Sequence, residues 1–384
     1  MTELSFGDKF QKIYKDIKDL HASNKNNGIQ VVNKFSNQID KLISSELSLS
    51  YKNKGVAVLA LGGYGRRELC IKSDIDILIL YEKPKIDEAK KIAENILYKL
   101  WDTGLEVGNS LRTIDECLEL SSTQDSTILT SLLDLRAIAG DSLLNIKLQN
   151  DLNKKLLPNI SQNFINKKIL ERNKRFKKYG TASYLNEPNL KEGKGGLRDL
   201  HTLFWIAKFI YKVHKVSEVV KKGVFTAEEY REFRVAEEFL WAVRFHLHYF
   251  AVRAEERITF DVQKALSEKL GYADRPNMSG VERFMKHYFL TAKNVGDLTR
   301  IFCAYLEEKH KRKPPLRLSS FSFRSKFVDG FPLTGGRISI KNKKDLKDDP
   351  VKMIKIFNVA QKFGLDIHPN ALRIIRQNLK LIKG

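Results

Sequence analysis

The sequence predicts an α+β fold, in which a small mixed sheet near the N-terminus is followed by a mostly α-helical domain. Three observations lead to this prediction. A short apolar run, Val56–Leu61, ends at two glycines, as a buried strand before a tight turn does. Isoleucines alternate with other residues over Asp74–Ile79, which is the period of a second strand. Beyond Ser142, almost every periodic stretch has helical spacing.

The remaining elements follow from the spacing of apolar residues. Two amphipathic helices are expected between Phe6 and Leu49, and a short helix over Tyr64–Leu69 after the two glycines. A helix over Ile86–Trp101 and a strand over Leu105–Arg112 complete the α/β part. Later helices are predicted over Leu197–Val213, Glu228–Val252, Val281–Leu306, Pro350–Phe363 and Pro369–Ile382.

The chain is long enough for two or three domains. We predict a sheet domain with N-terminal helices over residues 1–145 and a helical domain over residues 146–310. Residues 311–384 are expected to form a linker and a helical tail, because Lys311–Pro315 has the composition of a linker.

The net charge of +22, from 68 Lys and Arg against 46 Asp and Glu, invites a nucleic-acid hypothesis. However, Ile301–Gly384 alone carries 19 basic and 7 acidic residues, and the whole chain is rich in Lys, Asn and Ile. We therefore interpret most of the charge as a solvated surface and expect no nucleic-acid partner. An acidic protein partner and a nucleic acid remain the alternatives.

The sequence predicts a cytoplasmic protein that does not bind a membrane. No apolar run reaches the roughly 18 residues that a membrane helix needs. The N-terminus lacks the basic and apolar stretches of a secretion signal. Cys70, Cys117 and Cys303 are odd in number and far apart, which is typical of a reducing compartment and gives no metal-ligand spacing.

The segment LALGGYGRRELCIKSDIDILIL, Leu59–Leu80, carries the chemistry. Gly62 and Gly63 follow a buried strand, where they let the backbone turn tightly and approach a ligand without a Cβ in the way. A helix that begins there would direct free N–H groups at a phosphate. By itself, a Gly-Gly pair after a strand is more often an ordinary turn.

Two carboxylates make the phosphate interpretation specific. Asp74 and Asp76 are two residues apart on a strand, so their side chains project from one face. Neighbouring carboxylates repel unless a cation lies between them, and Mg²⁺ prefers oxygen ligands and is often shared with substrate phosphates. With only ten residues between Gly63 and Asp74, the two motifs together predict metal-dependent nucleotidyl transfer.

These motifs resemble those of a known group. Gly-Gly followed by Ser73-Asp74-Ile75-Asp76 resembles the signature of the polymerase-β-type nucleotidyltransferase superfamily. The longer segment GGYGRRELCIKSDIDILIL is similar to the protein-PII uridylyltransferase family. Later segments that resemble the same family are Trp101–Thr113, Glu187–Lys208, and the pair Phe239–His248 and Val281–Phe289.

The resemblance implies transfer of UMP from UTP to a tyrosine hydroxyl of the nitrogen regulatory protein PII, with release of pyrophosphate. It implies that residues 1–145 form a nucleotidyltransferase domain. Position by position, Gly62 and Gly63 would hold the triphosphate, and Asp74 and Asp76 would be the ligands of Mg²⁺ or Mn²⁺.

Other roles implied by the resemblance are less specific. Arg66 and Ser73 are candidate phosphate contacts, although a surface ion pair and a turn cap explain them equally well. The superfamily commonly uses a third carboxylate as a metal ligand or base. Glu106 is the first candidate, with Asp125 and Asp134 as alternatives.

The glycine-rich loop before the Leu197 helix is the next candidate. Lys191 and Arg198 are predicted to neutralise nucleotide phosphates or to contact the target protein. Gly195 and Gly196 would allow a close backbone approach. A plain connector, with its charges in water, is the alternative.

Full-length members of the family continue into an HD hydrolase domain, which removes UMP, and two ACT domains. Since this chain stops at Gly384, we expect neither UMP removal nor glutamine sensing from it. The alternative functions are transfer of another nucleotide, such as AMP, to another protein or a small molecule, and a basic binding protein with a degenerate site.

Overall fold

A computed structural model describes residues 4–23, 28–47, 54–122, 126–179, 185–213, 217–251, 254–310, 327–334 and 336–382. The chain divides into two compact units, Met1–Val295 and Gly296–Gly384.

Helices account for most of the first unit. In chain order they are α1 (Phe6–Ser23), α2 (Gly28–Leu47), α3 (Gly62–Gly65), α4 (Ile86–Trp101), α5 (Ile114–Ser122), α6 (Ser126–Leu133), α7 (Ser142–Asp151), α8 (Leu157–Tyr179), α9 (Leu197–Tyr211), α10 (Glu218–Lys221), α11 (Ala227–Phe250), α12 (Phe260–Lys269) and α13 (Gly280–His310), which begins in this unit.

One four-stranded mixed sheet lies within the first unit. Its strands are β1 (Val56–Ala60), β2 (Ile75–Tyr81), β3 (Val107–Arg112) and β4 (Arg136–Gly140), in the spatial order β3-β2-β1-β4. The central strand β1 pairs antiparallel with β2 and β4, whereas β2 pairs parallel with β3. Strands β3 and β4 are therefore the two edges.

The register of the two central strands places leucines on one face of the sheet. Leu59 lies opposite Leu78, and both pack into one hydrophobic cluster together with Ala57 and Leu80. The same cluster contains Trp205 and Phe209 of α9, so the helical part of the unit packs directly on the sheet. As a result, residues of α9 lie near the end of β1, where the two glycines occur.

The second unit has its own small sheet and core. Strands β5 (Phe327–Val328), β6 (Phe331–Thr334) and β7 (Arg337–Ile338) pair antiparallel in that order, and α14 (Lys343–Asp348), α15 (Lys352–Phe363) and α16 (Pro369–Gln377) follow. Ile338, Leu346 and Ile356 are fully buried in the core of this unit.

The structure confirms the α+β fold, with a small mixed sheet followed by a mostly helical region. The helix predicted over Ile86–Trp101 has those bounds, whereas the strand expected from Leu105 begins at Val107. The tail contains a short sheet that we had not predicted, and its last helix ends at Gln377 before a 3₁₀ turn. The predicted linker at the start of residues 311–384 lies outside the described residues.

The prediction of a helix over Tyr64–Leu69 was wrong. The helical turn begins at the glycines and covers Gly62–Gly65, because the N–H of Gly65 already donates to Leu61 and that of Arg66 to Gly62. Arg67 then adopts a left-handed conformation with φ 64°, which ends the turn. None of the helices in the described ranges combines the length and apolar character required to cross a membrane.

Candidate active site

A cleft of about 440 Å³ opens at the end of β1 and the start of β2. Nine of the residues that the sequence predicted for the site line this cleft, although their chemical roles remain predictions. Those lining residues are Gly62, Gly63, Arg66, Ser73, Asp74, Asp76, Glu106, Lys191 and Arg198. The sheet therefore supplies the glycines and carboxylates, and the glycine-rich loop with α9 supplies the facing cations.

Gly62 and Gly63 form a glycine corner that lies directly against β2. The Leu61 N–H donates to the carbonyl of Asp76 at 2.9 Å, and Gly62 then turns the chain with a positive φ of 53°. A Cβ at Gly62 would lie 3.0 Å from Oδ2 of Asp76, so a side chain there would crowd the carboxylate. The first N–H groups of such a turn have no carbonyl partner within it, which suits them to bind phosphate oxygens.

The two carboxylates project from the same face at the start of β2. Asp76 is the second residue of the strand and partly buried, whereas Asp74 precedes the strand and is exposed. Burial, followed by the charge of Asp74, raises the pKa of Asp76 to about 6, against smaller opposing effects of Lys191 and Arg66. A divalent cation between the two would relieve that repulsion.

Gly108 is a site residue that the sequence analysis missed. It lies opposite Asp76 in the parallel β2–β3 pair, and a Cβ on it would come within 2.4 Å of Asp76 Oδ1. The Asp76 carboxylate therefore occupies space that only glycine leaves free. An isolated glycine inside a strand is a signal of such a close approach.

Among its described residues, the cleft offers a divalent metal two carboxylates and not a complete set of protein ligands. Within the described ranges, no group of three or more His, Cys, Asp or Glu side chains could hold an ion. What the cleft offers is the Asp74–Asp76 pair, with the exposed Glu106 on its wall. Two carboxylates fit Mg²⁺, which usually keeps several waters and is completed by substrate phosphates.

The candidates for a third carboxylate differ in position. Glu106 directly precedes β3, and its carbonyl accepts the N–H of Ile75, so it is fixed beside the aspartates. Asp134 is buried and lies outside the lining of the cleft, where it accepts from Trp205 Nε1 at 2.6 Å and Lys208 Nζ at 3.0 Å. Asp125 lies outside the described residues.

Arg66 is the centre of a buried ion-pair network, so the alternative of a surface ion pair is wrong. Its Nε donates to Glu68 at 2.7 Å, and its Nη1 pairs with Asp134. Burial opposes the charge of Arg66, but these two carboxylates outweigh it and raise its pKa. His201 joins the network through Glu68 at 3.0 Å, and burial, then Arg66, lowers the pKa of His201 to about 4.

Asp134→Ala is expected to destabilise the protein by about 3–5 kcal/mol, because it leaves the buried Arg66 guanidinium, Lys208 and the Trp205 indole without their shared acceptor. Urea denaturation would measure the free energy of unfolding. Asp87→Ala, at an exposed position, is the matched control and is expected to change it by less than about 1 kcal/mol. Similar values for both variants would contradict a structural role of the network.

The ionisation of Glu237, which also lies near this network, makes the folding stability depend on pH. Burial, followed by the charge of Glu68, raises the pKa of Glu237 to about 7, although Arg234 pairs with it. The unfolded chain loses this proton near its usual pKa of 4.5, before the folded protein does. Folding stability therefore falls by about 3 kcal/mol as the pH rises from 4.5 through 7.

Glu237→Gln should remove this loss of folding stability with rising pH. We expect the variant to gain stability relative to the parent protein at pH 8, and to gain much less at pH 4.5, where the folded carboxyl is neutral and the unfolded one is only half ionised. Thermal melting at the two pH values measures the difference. An equal change at both would show that Glu237 ionises normally.

The glycine-rich loop is fixed by its own hydrogen bonds. The Asn189 side chain accepts the N–H of Lys191 at 3.1 Å, and Asp199 accepts that of Gly195 at 2.8 Å. Gly195 has φ 79°, and a Cβ on it would lie 2.0 Å from the carbonyl of Ala292 in α13. The close backbone approach that we predicted for Gly195 is therefore made to a helix of the same unit.

The cations of this loop form one wall of the cleft. Lys191 is partly buried, and burial, then the charge of Arg244, lowers its pKa. Arg198 Nη2 pairs with Glu192 at 3.0 Å. Ser73 also lines the cleft and accepts the Cys70 N–H through Oγ at 3.3 Å, as a turn cap does.

Two further lining residues were not predicted. The Arg244 Nε donates to Glu256 at 3.0 Å, so α11 and the segment after it close the cleft with a buried ion pair. The pairing raises the pKa of Arg244 in spite of burial. Because these residues are far from the aspartates in sequence, no local pattern indicated their place in the site.

Comparisons with known proteins agree with this geometry. Residues 41–130 match a family model described as a nucleotidyltransferase domain, and this range holds the glycine corner and the aspartates. Residues 163–303 match one described as GlnD PII-uridylyltransferase, and this range holds the cationic wall.

Two curated relatives are both named bifunctional uridylyltransferase/uridylyl-removing enzyme. The relative from Azospirillum brasilense is 46% identical over 328 residues, and that from Rhodospirillum rubrum is 45% identical over 327 residues. Each alignment covers 85% of this chain, which spans about a third (35%) of each relative's length. The chain therefore carries a nucleotidyltransferase domain, followed by a region that matches the PII-uridylyltransferase family model.

Proposed function

We propose that this chain transfers UMP from UTP to a tyrosine hydroxyl of the nitrogen regulatory protein PII and releases pyrophosphate. The observation that carries the proposal is the meeting of a glycine corner, two adjacent carboxylates and a lysine in one cleft. The names of the two relatives support the choice of a uridylyl group.

The proposed step is an in-line displacement at the α-phosphorus of UTP. The phenolic oxygen of the acceptor tyrosine forms a bond to that phosphorus, and the bond from phosphorus to the oxygen bridging the α and β positions breaks. Pyrophosphate leaves with that electron pair. We assign the phenolic proton to the Glu106 carboxylate, which lies on the wall of the same cleft.

The chain's own residues position the nucleotide. Free N–H groups at Gly62 and Gly63 would bind triphosphate oxygens, and Lys191 and Arg198 would neutralise their charge from the opposite wall.

Two other residues have more limited roles. Since Arg66 is committed to Glu68 and Asp134, we assign it a supporting role, in which it holds the glycine corner and adds positive potential. Ser73 Oγ accepts from Cys70, which leaves its hydroxyl proton for a phosphate oxygen.

Asp74 and Asp76 are the residues that would hold Mg²⁺ or Mn²⁺. The ion, when bound, would neutralise triphosphate charge and assist the attacking and leaving oxygens. The aspartates would hold the ion beside the glycine corner, because Asp76 Oδ2 lies close to Gly62.

Incubation with each α-labelled nucleoside triphosphate, Mg²⁺ and PII tests the proposal. We expect label from UTP to appear on PII, and none on a PII variant whose acceptor tyrosine is phenylalanine. Strong labelling from ATP, with none from UTP, would favour adenylyl transfer instead. The domain limits at residues 145 and 310 and a cytoplasmic location remain predictions from the sequence.

A further inference from the structure

The edge strand β3 runs beside the candidate active site. It is the outermost strand on its side of the sheet, next to β2, which carries Asp76. Gly108 and Asn109 in this strand are exposed. Within the part of the chain that the structure describes, no further strand pairs with β3 on its outer side.

The register defines which backbone groups are free on this edge. The Ile75 N–H donates to the Glu106 carbonyl. Along a strand of a parallel pair, the backbone groups of successive residues point alternately toward the partner strand and away from it. Even-numbered residues of β3 therefore direct their N–H and C=O groups toward β2. Val107, Asn109 and Leu111 direct theirs outward, as a template for another strand.

A short path leads from this edge to the carboxylates. Gly108 lies between the edge and Asp76, and the Asp76 carboxylate leans over it, with Oδ1 only 2.4 Å from where a Cβ would be. No side chain at position 108 blocks this face of the sheet. A residue on an added strand would lie about 5 Å from Gly108, a distance that a tyrosine side chain spans. Glu106, the proposed proton acceptor, lies at the same end of β3.

We propose that the acceptor protein binds by adding an extended, tyrosine-bearing segment to the outer edge of β3. The inference rests on the proposed function and names how its protein substrate is recognised. Backbone hydrogen bonds to Val107, Asn109 and Leu111 hold the segment, and the tyrosine crosses Gly108 to reach the α-phosphorus. Strand addition supplies affinity from the main chain and leaves specificity to side-chain contacts.

An exposed aromatic pair lies just before this edge in the chain. Tyr98 and Trp101 at the end of α4 are 63% and 48% exposed, and their ring centroids are 5.8 Å apart. Helix α4 packs on β3, so this exposed pair belongs to an element that contacts the edge strand. Exposed aromatic side chains of this kind are enriched at protein interfaces.

A matched pair of variants at one outward-facing position tests the inference. Asn109→Pro removes an outward N–H while sparing the β2–β3 hydrogen bonds, and proline is tolerated on edge strands in that orientation. Asn109→Ala changes the same side chain and keeps the N–H. We expect Asn109→Pro to lower kcat/KM for PII at least tenfold with unchanged UTP binding, and Asn109→Ala to resemble the parent protein.

The outcomes separate this inference from the proposed function. A parent protein that does not label PII from UTP overturns the function and the inference together. If the parent protein is active and the two variants have equal kcat/KM, the inference of strand addition at β3 is overturned and the proposed function is not. If Asn109→Pro loses UTP binding or has a lower melting temperature than the parent protein, hydrogen exchange of the parent protein with and without PII tests the inference instead. PII should protect the amides of Val107, Asn109 and Leu111, and unchanged exchange there would overturn the inference.

Discussion

Asp76→Asn is expected to lower the turnover of the proposed UMP transfer by about a thousandfold. Asparagine keeps the size of the side chain but removes the charge that would hold a divalent cation against the triphosphate. Loss of one preorganised electrostatic contact in an active site typically lowers turnover by ~10²–10³, and here the contact also holds the metal. Steady-state kinetics with UTP, Mg²⁺ and PII would measure the effect.

Stability separates this loss from misfolding. Burial and the charge of Asp74 raise the pKa of Asp76 to about 6, so ionisation at pH 8 opposes folding by about 3 kcal/mol. Asp76→Asn should therefore melt at an equal or higher temperature than the parent protein while losing activity. The exposed Asp87→Asn is the control and should change neither property. An Asp76→Asn variant with near-parental turnover would contradict the assigned role.

Gly108→Ala is expected to lower turnover by about a hundredfold. The new Cβ would lie 2.4 Å from Asp76 Oδ1, so the carboxylate must move away from its position above β3. A displacement of about 1 Å in a catalytic group lowers rates on this order. The free energy of unfolding should change little, because the short Asp76 side chain can rotate away.

Gly296→Ala is the matched control for Gly108→Ala. Gly296 lies within α13, and a Cβ there has no atom within 4 Å outside its own helix backbone. That variant should keep full activity and gain slightly in stability, since alanine favours helix. If Gly108→Ala transferred UMP as fast as Gly296→Ala, the position of the Asp76 carboxylate would not matter.

Much of the fold was predictable where local periodicity is strong. The bounds of α4 came directly from its apolar spacing, and β2 from its alternating isoleucines. The turn at Gly62 was misplaced because glycine carries no helix signal, and tertiary contact with β2 determines where that helix begins. Strand β4 has no clear alternation and forms by pairing with β1, so its sequence alone gave no indication.

The residues of the candidate site were likewise predictable only where a local pattern marks them. The glycines and aspartates lie within one short segment, so their spacing was enough to predict metal-dependent nucleotidyl transfer. Lys191 and Arg198 were predicted because the glycine-rich loop stands out in composition, and both line the cleft. The ion pair of Arg244 with Glu256 and the buried setting of Arg66 depend on contacts between distant segments, which no local pattern encodes.

Binding of Mn²⁺ together with turnover, compared between the parent protein and Asp74→Asn/Asp76→Asn, tests the central claim most directly. Titration in the presence of a non-reactive UTP analogue would measure the metal, and labelling of PII would measure the reaction. We predict that the double variant binds the nucleotide-linked Mn²⁺ at least tenfold more weakly and shows no detectable transfer. A double variant with parental Mn²⁺ affinity and full, metal-dependent turnover would contradict the account.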